Sequence, residues 1–161
     1  ANKLGKKVFL HLITDGRDVS PTSAQKYIEQ VQKHLNENVI IATISGRFYS
    51  MDRDNRWQRI KRGYDAIVDA QPKTNFEPAG YIGHSYALGE TDEFVEPTAF
   101  SGYDGMQEGD SVLTINFRSD RMRELVTALG FDEFHAFTRD YKKVHLATMT
   151  EYDKSFRFPI L

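Results

Sequence analysis

Three polar loops that carry arginine are the part of this chain most able to do chemistry. Each loop follows an apolar, β-branched segment, and the loops span residues 15–18, 46–54 and 116–121. The arginines they hold are Arg17, Arg47, Arg53, Arg118 and Arg121. A guanidinium can donate two parallel hydrogen bonds to one carboxylate or phosphate. If the three loops meet, they form a site for a small molecule with several negative charges.

The segments before these loops predict strands over residues 8–14, 40–45 and 112–115, and a fourth strand is predicted over 144–150. If the first three strands are parallel neighbours, their loops meet outside the carboxyl ends, where open α/β sheets bind ligands. Apolar residues at helical spacing lie between the strands, and this alternation predicts an α/β fold. We expect a single three-layer domain with a mostly parallel sheet flanked by helices.

Helix boundaries can also be predicted. Ser20 resembles an N-cap and Pro21 a first helical residue, so a helix is expected to begin there. A second helix is expected over residues 55–70, and a third follows from Met122. A short helix is predicted over 81–88, after which the chain is polar and rich in turns up to residue 110.

Composition excludes several classes of protein. The chain has 161 residues and a net charge of −2, which argues against a nucleic-acid partner bound through bulk positive charge. It has no cysteine, which excludes disulfides, thiolate metal sites and cysteine nucleophiles. No apolar segment approaches the roughly 18 residues that cross a bilayer. We therefore expect a cytoplasmic protein without a membrane partner, and the abrupt start without methionine suggests a fragment.

Asp18 differs in kind from the arginines around it. Nearby guanidiniums favour the ionised form of a carboxyl group, so Asp18 is expected to stay charged well below neutral pH. Such a carboxylate could take or return a hydroxyl proton if a substrate oxygen came within reach. The alternative is that Asp18 only pairs with Arg17 or caps its loop.

Other polar residues are given a simpler interpretation. Ordinary surface ion pairs are expected for the remaining arginines considered: Arg56, Arg59, Arg62, Arg123, Arg139 and Arg157. Asp52 and Asp54 form a DxD tripeptide that could hold a divalent cation, although the intervening Arg53 would repel one. The histidines show no metal-binding spacing such as HExxH, and no glycine-rich nucleotide loop is present.

Four motifs occur along the chain in a distinctive order. They are DGRD at 15–18 with Pro21, GRFYSMDRDNRW at 46–57, TDEFV at 91–95 with Pro97, and NFRSDR at 116–121. This order closely resembles the phosphotransferase, or substrate-binding, domain of the cofactor-independent (2,3-bisphosphoglycerate-independent) phosphoglycerate mutases. Residues 149–153 are similar to the end of that domain. The resemblance covers nearly the whole chain, and the long second motif is highly specific.

The resemblance implies an isomerase that interconverts 3-phosphoglycerate and 2-phosphoglycerate in glycolysis and gluconeogenesis. In this family a phosphatase-like domain carries two manganese ions and a serine that becomes phosphorylated. The transferase domain holds the glycerate between the two transfers. By matching motifs, the substrate-binding residues would be Arg17, Asp18, Arg47, Arg53, Arg118 and Arg121. Asp18 would be the catalytic residue that handles the hydroxyl proton.

The chain also departs from the family pattern. The family's substrate-contacting histidine lies in a loop resembling DGGVHS, and neither that loop nor a recognisable metal cluster occurs here. We therefore expect residues 1–161 to be an N-terminally truncated phosphotransferase domain that binds no metal or cofactor and is inactive alone. Its expected partners are the phosphoglycerates and the phosphatase-like domain of the same polypeptide, in a monomeric parent.

Two alternatives remain open from the sequence. The chain could be a stand-alone, non-catalytic binding module for small phosphorylated acids, since an arginine crevice needs no chemistry of its own. It could also be a metal-dependent transferase that uses Asp52 and Asp54.

Overall fold

The strands form two small sheets in the computed structural model, which describes residues 5–161. In the first sheet, β1 (Val8–Thr14) pairs in parallel with β2 (Val39–Gly46), and the short β3 (Thr98–Ala99) pairs antiparallel with the other side of β2. In the second sheet, β4 (Ser111–Thr114) pairs in parallel with β5 (His145–Thr148). The architecture is therefore α/β, as predicted, with one antiparallel pairing.

Helices cover the sheets on two sides. Their bounds are Ala24–Gln32 for α1, Arg47–Ser50 for α2, Trp57–Val68 for α3, Pro78–Ala87 for α4 and Arg123–Gly130 for α5. Short 3₁₀ turns cover Asp92–Phe94 and Ser119–Arg121. None of the helices within residues 5–161 combines the length and apolar composition that crossing a membrane requires.

Two apolar cores hold these layers together. Ile28 of α1 and Ile82 of α4 pack with Ile44 of β2 on one side. On the other side, α3 and α5 share a core with partly buried residues of both sheets, including Ile13 and Val112. This second core spans both sheets, so it fixes the position of β4 relative to β1.

The expectation that three strands lie side by side in one sheet is wrong. The strand at Ser111–Thr114 pairs with β5, and within the described chain β1 is an edge strand. An apolar, β-branched run predicts a strand, but it does not specify which strand is its neighbour. On β4 and just after it, Leu113, Ile115 and Phe117 are each more than half exposed.

The first helix also begins later than predicted. Residues 20–22 lie outside α1, which starts at Ala24 instead of at Pro21. The carboxylate of Asp92 accepts hydrogen bonds from the backbone N–H groups of Ser23 (2.8 Å) and Ala24 (2.9 Å). The cap therefore comes from a residue distant in sequence, which local patterns do not reveal.

The second predicted helix is shorter than expected, and a strand in the turn-rich segment was missed. Asn55 (φ +58°) and Ala70 (φ +51°) adopt left-handed conformations that exclude them from α3. The missed strand, β3, has only two residues, and its antiparallel pairing with β2 makes the first sheet mixed.

Candidate functional site

The three arginine loops meet although their strands do not all pair. Arg118 Nη1 of the third loop donates to Asp18 Oδ2 of the first loop at 2.7 Å. Arg53 Nη1 of the second loop donates to Asp120 Oδ2 of the third loop at 2.7 Å. The three loops border a cleft of about 330 Å³. The residues that line this cleft are Arg17, Arg47, Phe48, Met51, Asp52, Arg53, Asp54, Arg56, Arg59, Glu93, Phe94 and Arg121.

The first loop turns sharply after β1 and is held by its own aspartate. Asp15 Oδ1 accepts the backbone N–H groups of Arg17 and Asp18, both at 3.1 Å. Gly16 has a φ of +65°, and a Cβ there would lie 2.7 Å from the Cβ of Asp92. A glycine is therefore needed at this turn, which places Arg17 and Asp18 beside the cleft.

Arg47 is the buried centre of the site, with 5% of its side chain exposed. It is placed by Gly46, because a Cβ at that position would lie 2.3 Å from the carbonyl oxygen of Glu93. Arg47 Nη1 donates to Asp15 Oδ1 at 2.6 Å and to Asp18 Oδ2 at 2.9 Å. Burial lowers the pKa of Arg47, but its hydrogen bonds to Asp18 and Asp15 outweigh that effect and raise the pKa overall.

Asp18 receives two guanidiniums on one carboxylate oxygen. Hydrogen bonds from Arg47 and then Arg118 lower the pKa of Asp18 to about 2. The sequence prediction that Asp18 stays ionised well below neutral pH agrees with this direction. With these hydrogen bonds in place the carboxylate is a weak base, because a proton would have to displace two charged hydrogen bonds.

Arg121 is the least satisfied cation of the site. Its Nη1 donates to the carbonyl oxygen of Met51 at 3.2 Å, while its buried Nε finds no acceptor within residues 5–161. Burial lowers the pKa of Arg121, and repulsion from Arg53 and Arg47 lowers it further. A bound anion would remove this repulsion and offer an acceptor.

The other site arginines already have carboxylate partners. Arg17 Nη1 lies 3.1 Å from Glu93 Oε1, and Arg53 is paired with Asp120 as described above. The sequence predicted clustered guanidiniums that need an external anion. The structure shows instead that acids of the chain are interleaved with them, a feature that separate loop motifs did not reveal.

The expectation for Arg56 and Arg59 needs correction. Both make the predicted ion pairs, Arg56 with Asp54 at 3.3 Å and Arg59 with Asp52 at 3.4 Å. Both also line the cleft, and the Arg59 guanidinium lies 3.7 Å from the ring centroid of Phe48. The position of Arg56 in the long second motif was a signal that could have placed it there, whereas Arg59 lies two residues beyond that motif.

The motif at 91–95 supplies further residues that the sequence analysis did not assign. Glu93 pairs with Arg17, and the Phe94 ring lies 5.0 Å from that of Phe48. Phe94 is 44% exposed at the cleft, which is unusual for a phenylalanine. This motif therefore forms one wall of the cleft and also caps α1 through Asp92.

Asp52 and Asp54 do not resemble a cation site. Asp52 is 4% exposed, and its Oδ1 accepts the backbone N–H groups of Asp54 (2.9 Å) and Arg56 (3.0 Å). Its Oδ2 accepts a hydrogen bond from Arg59. Residues 5–161 also contain no group of three or more His, Cys, Asp or Glu residues that could hold a metal ion. The carboxylates thus stabilise the loop, and the metal-dependent alternative has no support from this geometry.

Comparisons with known proteins agree on one family. The family model described as BPG-independent PGAM N-terminus matches residues 1–154. A 2,3-bisphosphoglycerate-independent phosphoglycerate mutase of Sulfurimonas denitrificans is 66% identical over 161 residues, which cover 100% of this chain and 33% of the relative. The same enzyme of Helicobacter acinonychis is 54% identical over 160 residues, covering 99% and 32%.

A solved structure gives the same result. A crystal structure of Leishmania mexicana phosphoglycerate mutase at low cobalt concentration superposes with a TM-score of 0.81 and 28% sequence identity. The match covers 89% of this chain and 29% of that one. The chain thus spans about a third of the length of the relatives it matches.

Proposed function

This chain belongs to the family of the BPG-independent PGAM N-terminus, and on that premise we propose that it is the substrate-clamping domain of a phosphoglycerate mutase. The whole polypeptide would be an isomerase that interconverts 3-phosphoglycerate and 2-phosphoglycerate, with residues 1–161 as part of its phosphotransferase domain. The related mutases of Sulfurimonas and Helicobacter carry this activity in their names.

One observation carries the proposal more than any other. Arg121 lies in an arginine-lined cleft, and its buried Nε has no acceptor among residues 5–161. Burial and neighbouring cations lower its pKa. A buried donor without an acceptor costs about 1–3 kcal/mol. An anionic ligand removes that cost, and a phosphoglycerate brings both a carboxylate and a phosphate.

Binding would proceed by exchange of ion pairs. Arg17, Arg53 and Arg118 are each partly exposed and paired with Glu93, Asp120 and Asp18. Each can turn from its resident carboxylate to a ligand oxygen at little net cost, because exposed ion pairs contribute only about 0–1 kcal/mol. Arg47 is buried and would act as the fixed centre of the clamp.

Asp18 would change its acidity in the same exchange. Its pKa of about 2 depends on the hydrogen bonds from Arg47 and Arg118. When a ligand attracts these arginines, the pKa of Asp18 returns towards its ordinary range and the carboxylate becomes a better base. It could then take the proton of the hydroxyl that receives the phosphoryl group, and return that proton to the next hydroxyl oxygen that a phosphoryl group leaves.

The phosphoserine intermediate and two manganese ions would belong to a phosphatase-like domain elsewhere in the polypeptide. When bound there, such ions would stabilise negative charge on the transferred phosphoryl group. Residues 5–161 offer no set of ligands that fits them. The role proposed for this chain is therefore to bind, orient and exchange protons with the glycerate.

The test is an Arg121→Gln variant of the full-length polypeptide. We expect the KM for 3-phosphoglycerate to rise about tenfold or more, because charged hydrogen bonds contribute about 1.5–3 kcal/mol. Arg157→Gln is the matched control, since Arg157 is exposed and bonded only to the nearby Lys154 carbonyl among the described contacts. Equal steady-state kinetics for both variants would remove Arg121 from the site and the proposal with it.

A stand-alone binding module is a second candidate, because this chain by itself places six arginines in the lining of the cleft. Titration calorimetry of the 161-residue chain with 3-phosphoglycerate separates the two. A module that acts alone should bind the ligand tightly without the rest of the polypeptide, whereas a clamp that shares its ligand should bind it weakly.

A further inference from the structure

A pair of buried acidic side chains, one of which lines the arginine cleft, has no part in the function proposed above. Glu124 of α5 is 6% exposed, and Asp52 of the second loop is 4% exposed. Asp52 Oδ1 accepts the backbone N–H groups of Asp54 and Arg56, and Glu124 Oε1 accepts that of Asn55 between them, so the two carboxyl groups are neighbours. A hydrogen bond between the two carboxyl groups contributes to the raised pKa of Glu124. Buried acids are rare unless they are paired or protonated, so this contact needs an explanation.

Glu124 joins two of the arginine loops. Its Oε1 accepts the backbone N–H of Asn55 at 2.9 Å, directly after the loop that carries Arg53. Its own helix begins two residues after Arg121, the last residue of the third loop. Asn55 is held in a left-handed conformation (φ +58°), so the bond to Glu124 fixes a residue that would otherwise prefer another backbone shape.

The surroundings of the second oxygen of Glu124 indicate a proton shared with Asp52. Glu124 Oε2 is buried, and no N–H or O–H group of residues 5–161 donates to it. An ionised carboxylate oxygen in that position would be both unsolvated and next to another carboxylate. Asp52 has the opposite surroundings, because it accepts backbone N–H groups at Oδ1 and Arg59 at Oδ2. The proton therefore belongs on Glu124, with Asp52 as acceptor.

We propose that Glu124 is a positioning residue that donates a carboxylic proton to Asp52 and thereby clamps the Arg53 loop against the helix that follows Arg121. This contact between Glu124 and Asp52 rests on the proposed function only in its effect on substrate binding, because the contact itself is a property of the fold. Loss of the proton would put two charges in one buried site and loosen both loops.

The charged groups around the pair favour this arrangement. Burial raises the pKa of Glu124, the Asn55 N–H lowers it, and the charges of Asp52 and Asp54 from the second loop raise it again. Arg59 of α3 is bonded to Asp52. On the Glu124 side, Arg121 donates to Met51 and Arg123 to the Tyr152 carbonyl.

The first experiment measures the proton directly and needs no activity. In the 161-residue chain labelled with ¹³C at the carboxyl carbons, the Glu124 signal should keep the shift of a protonated acid at pH values where free glutamate is ionised. A Glu124 carboxyl that ionises at or below the pH where free glutamate does would overturn the proposal, whatever the mutase assay shows. Glu124→Gln should leave the Asn55 amide signal near its wild-type position, because a glutamine oxygen can accept the same bond.

The second experiment compares Glu124→Gln and Glu124→Leu in the full-length polypeptide. Glutamine keeps an acceptor for Asn55 and an N–H donor for Asp52, so the KM for 3-phosphoglycerate should stay within about twofold of wild type. Leucine loses both bonds and should raise the KM about tenfold. The wild-type KM should rise with pH as Glu124 loses its proton, whereas that of Glu124→Gln should not follow this rise.

The outcomes separate the two proposals. If Arg121→Gln leaves the steady-state kinetics unchanged while the Glu124 signal is that of a protonated acid, the Glu124–Asp52 contact is supported and the proposed function fails. If Glu124→Leu does not fold, the carboxyl signal and the glutamine variant still decide. Equal KM values and equal pH profiles for wild type and both Glu124 variants would refute a positioning role.

Discussion

At the scale of single residues, the site is a set of exchangeable charge pairs built around one buried arginine. Arg47 is fixed by two carboxylates, whereas the Nε of Arg121 finds no acceptor in the described part of the chain. The sequence identified both residues as candidates, because they occupy equivalent positions in loops after apolar segments. It could not identify Glu93 or Glu124, since their partners are distant in the chain and neither lies beside a predicted site residue.

Asp18 gives a prediction about stability and pH. Its pKa is lowered to about 2 in the folded chain by Arg47 and Arg118, against about 3.9 for an unperturbed aspartate. A lowered folded-state pKa stabilises the fold above the unfolded pKa, and this contribution is lost as the pH falls through about 4 to 2. Asp18 is about half exposed, so solvent screening keeps the effect small.

The measurement is urea unfolding of the wild-type chain and of Asp18→Asn between pH 6 and pH 2.5. The free energy of unfolding should fall less steeply in the variant than in wild type over the acid limb. Asp132→Asn, at an exposed position, serves as the control. If the variant and wild type lose stability in parallel, Asp18 is not held by the arginines as described.

At the scale of elements, the 91–95 motif contacts α1, α4 and β1, each of which is predicted separately from local sequence patterns. Asp92 caps α1, accepts a hydrogen bond from Tyr86 of α4, and its carbonyl accepts the Thr14 hydroxyl at 2.6 Å. The start of α1 was predicted wrongly for this reason. The presence of α3 and α5 was predicted correctly, because apolar residues at helical spacing indicate a helix with one buried face.

Asp92→Ala should destabilise the fold by about 2–4 kcal/mol, because it removes the α1 cap and leaves buried partners unpaired. Chemical denaturation of the 161-residue chain measures this change. Asp132→Ala is the matched control at an exposed position and should change stability by less than about 0.5 kcal/mol. A loss below 1 kcal/mol for Asp92→Ala would contradict the role assigned to this carboxylate.

At the scale of the whole molecule, a shared apolar core fixes the position of one sheet relative to the other, because no strand pairing joins the two sheets within residues 5–161. The α/β class was predictable from the alternation of strand and helix patterns. The division into two sheets was not, because strand partners depend on contacts between distant segments. The loop ion pairs Asp18–Arg118 and Arg53–Asp120 are partly exposed, so they orient the loops more than they stabilise the fold.

The core between α3, α5 and both sheets should therefore dominate stability. Leu125 is 3% exposed within it, and Leu125→Ala should reduce the free energy of unfolding by about 2–5 kcal/mol. Leu88 is 67% exposed and provides the same substitution outside any core. Similar unfolding midpoints for the two alanine variants would show that this core does not hold the sheets together.

The carboxylates that pair with the site arginines would affect the rate of ligand exchange during turnover. A ligand that departs does not leave bare guanidiniums behind, because Asp18, Glu93 and Asp120 are beside them to take its place. Under the proposed function these ion pairs would compete with a bound anion, so ligand affinity would be lower and residence time shorter than the arginines alone would give. Slow product release limits many enzymes. By competing with each ligand, the chain's own acids would then set how quickly one phosphoglycerate replaces another in the cleft.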